Sequence, residues 1–175
     1  MKCVPNLCNR KPTHEWREVS IANRPNAFPW PPVILIASIA TAYGLGLLVP
    51  LIWVPSPIKE LLDVFGVMLI IIALAIEISA MLTMRKANTT ILPNKGSTKL
   101  VTTGPFSFTR NPIYFGNVIL LFGIGLMFEN IWFWPLALIC GALTQRLAIL
   151  REESHLQAKF PAAFLAYKKK VRRWI

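Results

Sequence analysis

The chain has 175 residues, of which 54% are hydrophobic and 15% charged, and its 19 Lys and Arg against 8 Asp and Glu give a formal net charge of +11. A mean hydropathy of +0.51 excludes one soluble domain of this size, because most residues of a small domain lie near its surface, and such apolar content excludes a disordered basic tail. A pI near 10.1 suggests nucleic-acid binding, but that function needs a solvated basic face, for which little polar surface remains. We therefore expect a membrane protein with its positive charge on one side of the bilayer and no nucleic-acid partner.

Four apolar segments are long enough, or nearly so, to cross a bilayer. A hydrocarbon core of roughly 30 Å requires about 20 helical residues, and about 17 is the lower limit. The predicted transmembrane helices are residues 33–54, 61–84, 112–128 and 131–150, of which the third is marginal in length. Only Glu129 and Asn130 separate the last two helices, which predicts a tight helical hairpin. The predicted fold class is all-α: a polytopic integral membrane protein with four transmembrane helices in a single membrane domain, residues 1–175.

The positions of Lys and Arg predict the orientation, because basic residues in short loops accumulate on the cytoplasmic side. Four spans put the tail 1–32, the loop 85–111 and the region from Arg146 onward on one face, which then holds 18 of the 19 basic residues. Lys59 is left for the opposite face. We expect both termini in the cytoplasm and the protein in a bacterial inner membrane. Segments 85–111 and 151–175 would then form the functional site on the cytoplasmic side.

The N-terminal tail contains Cys3, Cys8 and His14, which are residue types that bind metals. Their Cys-x4-Cys-x5-His arrangement lacks a fourth ligand and the usual zinc spacing. We therefore predict no metal site.

The loop before the third span ends in Arg110-Asn-Pro-Ile-Tyr. Asn111 followed by Pro112 is typical of the N-cap and first residue of a helix, so this motif starts the third span. A functional interpretation is also open, because a helix N-terminus beside Arg110 offers N–H groups and positive charge to a carboxylate or phosphate.

After the fourth span, the chain continues as a helix that bears Glu152 and Glu153. Adjacent helical residues point about 100° apart. We therefore expect one carboxylate to face inward, while the other forms a solvated ion pair with Arg146 or Arg151. His155 is interpreted as a surface or capping residue rather than a catalytic base.

Glu77 is the one ionisable residue deep inside a predicted span. A carboxylate there costs about 2 to 3 kcal/mol or more unless it is paired, protonated or hydrated, so it should face the helix bundle or a cavity. Two interpretations are open: a neutral carboxyl that hydrogen-bonds to a neighbouring helix, or a residue of a functional site.

The order and spacing of these segments resembles the isoprenylcysteine carboxyl methyltransferase and phospholipid methyltransferase superfamily. The shared pattern runs from about Thr89 to Ile175 and consists of Leu-Val-Thr-Thr-Gly-Pro-Phe, Thr-Arg-Asn-Pro-Ile-Tyr, a short hairpin, Arg-Glu-Glu-Ser-His-Leu, and Tyr-Lys-Lys-Lys-Val-Arg-Arg-Trp. Members of that family are integral membrane enzymes that use S-adenosylmethionine. The resemblance therefore implies S-adenosylmethionine as cofactor, bound at the cytoplasmic face by the C-terminal part of the chain.

The resemblance also implies which residues form the site. The cofactor-binding residues would be Thr103, Gly104, Pro105, Asn111, Pro112, Tyr114, Glu152, Glu153, Leu156 and Tyr167. As catalytic residues, Arg110 or Arg173 would hold an acceptor carboxylate or phosphate, and Glu77 would line the acceptor cavity. The family commonly has His where Asn111 stands, and since Asn cannot titrate near neutral pH, we expect cofactor binding rather than acid–base chemistry at this position.

The leading hypothesis is S-adenosylmethionine-dependent methyl transfer to a lipophilic, membrane-embedded acceptor with a carboxylate, amine or thiol. In-line displacement of this kind needs alignment and exclusion of water rather than an acid or base. Membrane lipids are further expected partners, and the sequence leaves the oligomeric state open. Two alternatives are an NAD(P)H-dependent membrane reductase related to sterol reductases and a non-catalytic lipid-binding protein, for which a basic face alone suffices.

Overall fold

The computed structural model describes residues 29–88 and 99–175, and these two ranges contain helices and no β-strand. The helices are α1 (Trp30–Leu48), α2 (Ile58–Lys86), α3 (Pro112–Met127), α4 (Phe133–Thr144), α5 (Leu150–Lys159) and α6 (Pro161–Lys170). A 3-10 turn (Gly104–Ser107) precedes α3, and a π-helical turn (Gln145–Ile149) joins α4 to α5. The all-helical prediction is confirmed for these ranges. Cys3, Cys8 and His14 lie outside the described residues.

Three helices of the described ranges are long and apolar enough to cross a membrane: Trp30–Leu48, Ile58–Lys86 and the continuous helix Phe133–Lys159. The remaining apolar helix, α3, has 16 residues and is shorter than these. The chain is thus a multi-pass membrane protein. A fourth crossing by α3 and the cytoplasmic location of both termini stay predictions.

Proline residues explain why α1 is shorter than its apolar segment. The helix ends at Leu48, although the apolar run continues to Val54. Pro50 and Pro55 follow closely, and proline disfavours helical geometry at its own position and at the residue before it. Apolar residues 51–54 therefore lie outside any helix.

The long helices form a row, in which α2 packs against α3, α3 against α4, and α4 against α1. Glycines allow the closest of these approaches. A Cβ atom added to Gly123 would lie 2.9 Å from the carbonyl oxygen of Gly66, so the backbones of α2 and α3 touch at this point. The main apolar cluster lies between α1, α3 and α4 and contains Ile34, Ala42, Leu121, Phe133, Ala137 and Cys140.

The predicted hairpin between α3 and α4 turns at Glu129 and Asn130. Glu129 has a left-handed backbone with φ of 53°. The Asn130 side chain accepts a hydrogen bond from the Trp132 N–H at 3.1 Å and donates one to the Ala42 carbonyl at 3.0 Å. Lys59 Nζ lies 2.7 Å from Glu129 Oε1. The hairpin is therefore held by α1 and by the first turn of α2.

Gly104 makes a close contact between the 3-10 turn and α2. Its φ is 61°, and an added Cβ would lie 2.9 Å from Thr83 Oγ1. We expect Gly104→Ala to lower the free energy of unfolding by about 1–2 kcal/mol, because a left-handed backbone disfavours a Cβ atom. Gly44→Ala is the control, since an added Cβ meets nothing within 4 Å there. Equal thermal unfolding temperatures of the two variants in detergent would contradict this account.

Candidate active site

A pocket lies where the 3-10 turn, the start of α3, and helices α5 and α6 meet beside the C-terminal end of α2. Its lining residues are Met84, Lys99, Leu100, Val101, Phe106, Arg110, Asn111, Glu152, Glu153, Leu156, Phe164 and Tyr167. Both segments that the sequence analysis singled out supply side chains to this one pocket. Most of the wall is apolar or aromatic, and four ionisable side chains also line it: Lys99, Arg110, Glu152 and Glu153.

Glu153 is held by two arginines. Arg173 Nε and Nη2 donate to its two carboxylate oxygens at 3.0 and 2.8 Å, and Arg110 Nη2 lies 3.1 Å from Oε1. The Glu153 and Arg110 side chains are only 11% and 9% exposed, whereas Arg173 is 31% exposed. Hydrogen bonding to Glu153 raises the pKa of Arg173. With two cations around one carboxylate, the cluster keeps a net positive charge.

Arg110, which lines the pocket, has two further donors. Its Nε and Nη1 atoms are buried and have no hydrogen-bond partner within residues 29–88 and 99–175. The guanidinium carbon lies 6.0 Å from the centre of the Phe164 ring, within range of a cation–π interaction. A buried donor left unsatisfied costs about 1–3 kcal/mol, and more when it is charged. The Arg110 side chain is therefore suited to an anionic ligand group, most of all a carboxylate.

Glu152, which also lines the pocket, has a different partner from Glu153. The Tyr114 hydroxyl, in the first turn of α3, donates to Glu152 Oε1 at 2.6 Å. Glu152 thus points toward α3 while Glu153 points toward Arg173. The two carboxylates diverge as neighbouring helical residues must, yet both border the pocket. One of them was predicted to form a solvated ion pair at the helix surface, whereas the structure places both at the pocket.

Asn111 and Pro112 start α3 as predicted, but the Asn111 side chain does not cap the helix. Its Nδ2 instead donates to the Arg173 carbonyl at 2.9 Å. Thr109 Oγ1 donates to the same carbonyl at 3.2 Å and accepts the Asn111 N–H at 3.2 Å. The side chain therefore fastens the C-terminal segment to the start of α3, and cofactor binding by Asn111 stays a prediction.

Tyr167 lines the pocket from α6. Its hydroxyl donates to the Phe106 carbonyl at 2.6 Å, which ties α6 to the 3-10 turn. Burial raises the pKa of Tyr167 to about 12, although the charge of Arg110 partly offsets this effect. Tyr167 is therefore neutral at physiological pH and positions the backbone of the 3-10 turn.

The remaining predicted residues lie around the pocket rather than on its wall. Tyr114 and Arg173 contact the pocket carboxylates from outside it. Four others belong to the 3-10 turn and its flanks or to the start of α3: Thr103, Gly104, Pro105 and Pro112. These residues shape the backbone that carries Phe106 and Arg110. A direct contact between them and a cofactor stays a prediction.

Glu77 lies deeper along α2, in the interface with α3. A Cβ atom added to Gly116 of α3 would be 2.6 Å from Glu77 Cγ, so only glycine leaves room for this side chain. Glu77 Oε1 is buried and has no hydrogen-bond partner in the described part of the chain. Met84, the α2 residue that lines the pocket, is two turns away, roughly 10 Å by helical rise. Glu77 is not among the pocket residues, and its role toward an acceptor stays a prediction.

Six lining residues were not anticipated from the sequence. They are Met84, Lys99, Leu100, Val101, Phe106 and Phe164. Five of them are apolar or aromatic, and such residues in a hydrophobic chain are usually assigned to the core. The one sequence signal that could have indicated a site role was position. Leu100 begins the motif Leu-Val-Thr-Thr-Gly-Pro-Phe, and Phe106 ends it.

Comparison with known proteins identifies the family. Residues 62–163, more than half of the chain, match the phospholipid methyltransferase family. The chain belongs to the phospholipid methyltransferase family. Membership confirms the predicted superfamily. The matched range includes Arg110, Glu152 and Glu153, whereas Tyr167 and Arg173 lie beyond it.

This phospholipid methyltransferase family member also resembles a curated protein over part of its length. It is 38% identical over 71 residues, or 40% of the chain, to the nickel-cobalt-cadmium resistance protein NccN of Alcaligenes xylosoxydans xylosoxydans. The matched region spans 33% of that relative. No solved structure matches the chain.

Proposed function

We propose that this protein transfers a methyl group from S-adenosylmethionine to a lipophilic acceptor embedded in the membrane. The observation that carries the proposal is a pocket lined by Arg110 and Glu152, in which two buried N–H groups of Arg110 have no partner among the residues that the structure describes and Glu152 supplies a carboxyl group. The amino-acid end of S-adenosylmethionine has a carboxylate and an ammonium group, so it needs both kinds of partner. The ribose hydroxyls of the cofactor are hydrogen-bond donors, and a carboxylate of the protein can accept from them as well.

Each side chain of the pocket fits one part of that cofactor. Arg110 would hold the carboxylate through Nε and Nη1. Glu152, fixed by Tyr114, would accept from the ammonium group or the ribose hydroxyls. Phe106 and Phe164 provide aromatic walls suited to the adenine ring. Glu153 is already paired with two arginines, so it would orient Arg110 rather than bind directly.

The bound cofactor would supply an electrophilic methyl group on a sulfonium centre. The residues of the chain then have to bind, align and exclude water, because displacement at a methyl group requires no acid or base. Met84, Leu100 and Leu156 give the pocket an apolar side. That side favours a lipophilic acceptor whose carboxylate, amine or thiol approaches the methyl group in line with the sulfur.

We further propose that the site faces the cytoplasm, with four spans and both termini on that side of a bacterial inner membrane. Arg85 and Lys86 in the last turn of α2 support this orientation, because they lie at the same end as Met84 of the pocket. Lys168, Lys169 and Lys170 end α6, whose Phe164 and Tyr167 line the pocket. Basic residues near the ends of spans favour the cytoplasmic side.

Ligand binding tests the proposed activity. In calorimetry of the detergent-solubilised protein, we expect S-adenosylhomocysteine to bind and NADPH not to bind. Binding of NADPH alone would indicate a reductase, and binding of neither would indicate a non-catalytic membrane protein. Radiolabelled S-adenosylhomocysteine should also bind to inside-out membrane vesicles but not to sealed right-side-out vesicles. The reverse preference would contradict the cytoplasmic location.

The acceptor can be identified from its product. Membranes that contain the protein would be incubated with S-adenosylmethionine carrying a deuterated methyl group, and the extracted lipids would be analysed by mass spectrometry. We expect a lipid-soluble product that carries the label. Label found only in water-soluble products would contradict a lipophilic acceptor.

A further inference from the structure

We propose that Trp174 and Gln145 form a positioning pair, which holds the π-helical turn between α4 and α5 and thereby directs Glu152 and Glu153 toward the pocket. This inference rests on the proposed function, since it concerns the site assigned to S-adenosylmethionine. Neither Trp174 nor Gln145 lines the pocket. The pair would therefore act through the two carboxylates and not by contact with a ligand.

The π-helical turn determines which face of α5 meets the pocket. The Leu150 N–H bonds to the Gln145 carbonyl, five residues earlier rather than four. Such a turn holds one more residue than an α-helical turn, and one residue corresponds to roughly 100° of rotation. In an uninterrupted α-helix, Glu152 and Glu153 would be rotated away from Tyr114 and Arg110 by about that angle. The geometry of both carboxylates therefore depends on the extra residue.

Trp174 contacts this turn directly. Its indole Nε1 donates to Gln145 Oε1 at 2.7 Å. The far edge of the same ring lies 3.8 Å from the position of a Cβ atom added to Gly141, one turn earlier in α4. The indole thus spans the last turn of α4 and the first residue of the π-helical turn.

The backbone next to Trp174 is itself fixed, which makes the indole a firm support. The Arg173 carbonyl accepts hydrogen bonds from Thr109 Oγ1 and Asn111 Nδ2 at 3.2 and 2.9 Å. The Arg172 carbonyl accepts the Arg110 N–H at 3.1 Å. The Arg173 guanidinium also donates to Glu153. Residues 172–174 therefore connect the π-helical turn, α5 and the start of α3.

Two near-isosteric substitutions test the pair. Trp174→Phe keeps an aromatic ring but removes the N–H, and Gln145→Met keeps the side-chain length but removes the acceptor. We expect each to weaken binding of S-adenosylhomocysteine by roughly fivefold, which corresponds to the loss of one hydrogen bond of about 1 kcal/mol. The double variant should bind no more weakly than either single variant, because both remove the same contact. Unchanged affinity in the single variants, or fully additive losses, would overturn the inference.

Gln157→Met is the matched control. The Gln157 amide donates to the Pro161 carbonyl at 3.4 Å on an exposed part of the same helical region. This variant should bind S-adenosylhomocysteine as the unaltered protein does. A loss as large as that of the Trp174 or Gln145 variants would mean that any perturbation of α5 weakens binding, and would count against a specific role for Trp174 and Gln145.

Hydrogen–deuterium exchange of the ligand-free protein separates this inference from the proposed function. Trp174→Phe should raise exchange in peptides that cover residues 145–156, while α2 remains unchanged. If the unaltered protein binds no S-adenosylhomocysteine but this local change occurs, the proposed function fails and the structural role of the pair stands. If the unaltered protein binds but neither exchange nor affinity changes in the variant, only the inference fails. A uniform rise in exchange across α1 and α2 also overturns it.

Discussion

Replacement of Arg110 by Lys is expected to weaken binding of S-adenosylhomocysteine by ten- to a hundredfold. Lysine keeps the positive charge but lacks the planar arrangement of donors that the Nε and Nη1 groups offer to a carboxylate. Hydrogen bonds to charged groups contribute about 1.5–3 kcal/mol, which corresponds to this range of affinities. Calorimetry of the purified variant measures the loss directly.

A second ligand shows whether Arg110 contacts the carboxylate. The decarboxylated analogue of S-adenosylhomocysteine should bind the unaltered protein more weakly by a similar factor, and Arg110→Lys should not weaken it further. Arg172→Lys is the control variant, because the Arg172 side chain is exposed, and it should bind both ligands normally. If Arg110→Lys loses the same affinity for both ligands, the arginine does not hold the carboxylate.

Replacement of Glu153 by Gln is expected to have the largest effect on stability. The change leaves Arg110 and Arg173 without the carboxylate that lies between them, and Arg110 is 9% exposed. Removal of one partner from a buried ion pair typically lowers the free energy of unfolding by about 3–5 kcal/mol. We expect a loss near the lower end, since Arg173 is 31% exposed and can turn toward water. Thermal unfolding in detergent measures it.

The same substitution should also weaken S-adenosylhomocysteine binding by at least tenfold, because Glu153 orients the Arg110 guanidinium. Glu60→Gln is the matched control, since this carboxylate lies on the exposed first turn of α2 and accepts a long 3.3 Å hydrogen bond from Ser56 Oγ. It should leave both stability and affinity within experimental error. A Glu153→Gln variant as stable as the Glu60→Gln variant would show that the arginines do not depend on the carboxylate.

Features that depend on local sequence were predicted well. The length of the apolar run identified α2, and Asn111-Pro112 marked the start of α3, because proline suits the first turn of a helix. The polar pair Glu129 and Asn130 located the hairpin. The extent of α1 was overestimated, because hydropathy continues past the prolines while the helix stops before them.

The candidate site was predicted in outline but not in its contacts. Arg110, Glu152 and Glu153 were singled out, and all three line one pocket. Their partners were not foreseen, because Arg173 reaches Glu153 from 20 residues away along the chain and Tyr114 reaches Glu152 from 38. Such pairs depend on how helices cross in space.

The sequence by itself determined that this protein is helical and membrane-embedded, that it belongs with the phospholipid methyltransferases, and which two segments line one pocket. Hydropathy, proline position and short motifs are local properties, so the order of residues in the sequence is enough to identify them. Only the tertiary structure decided that both carboxylates border the pocket, that two Arg110 donors have no partner among the described residues, and that Glu77 lies outside the pocket wall. Those outcomes depend on one extra residue in a π-helical turn and on contacts between distant segments, and neither follows from the order of residues alone.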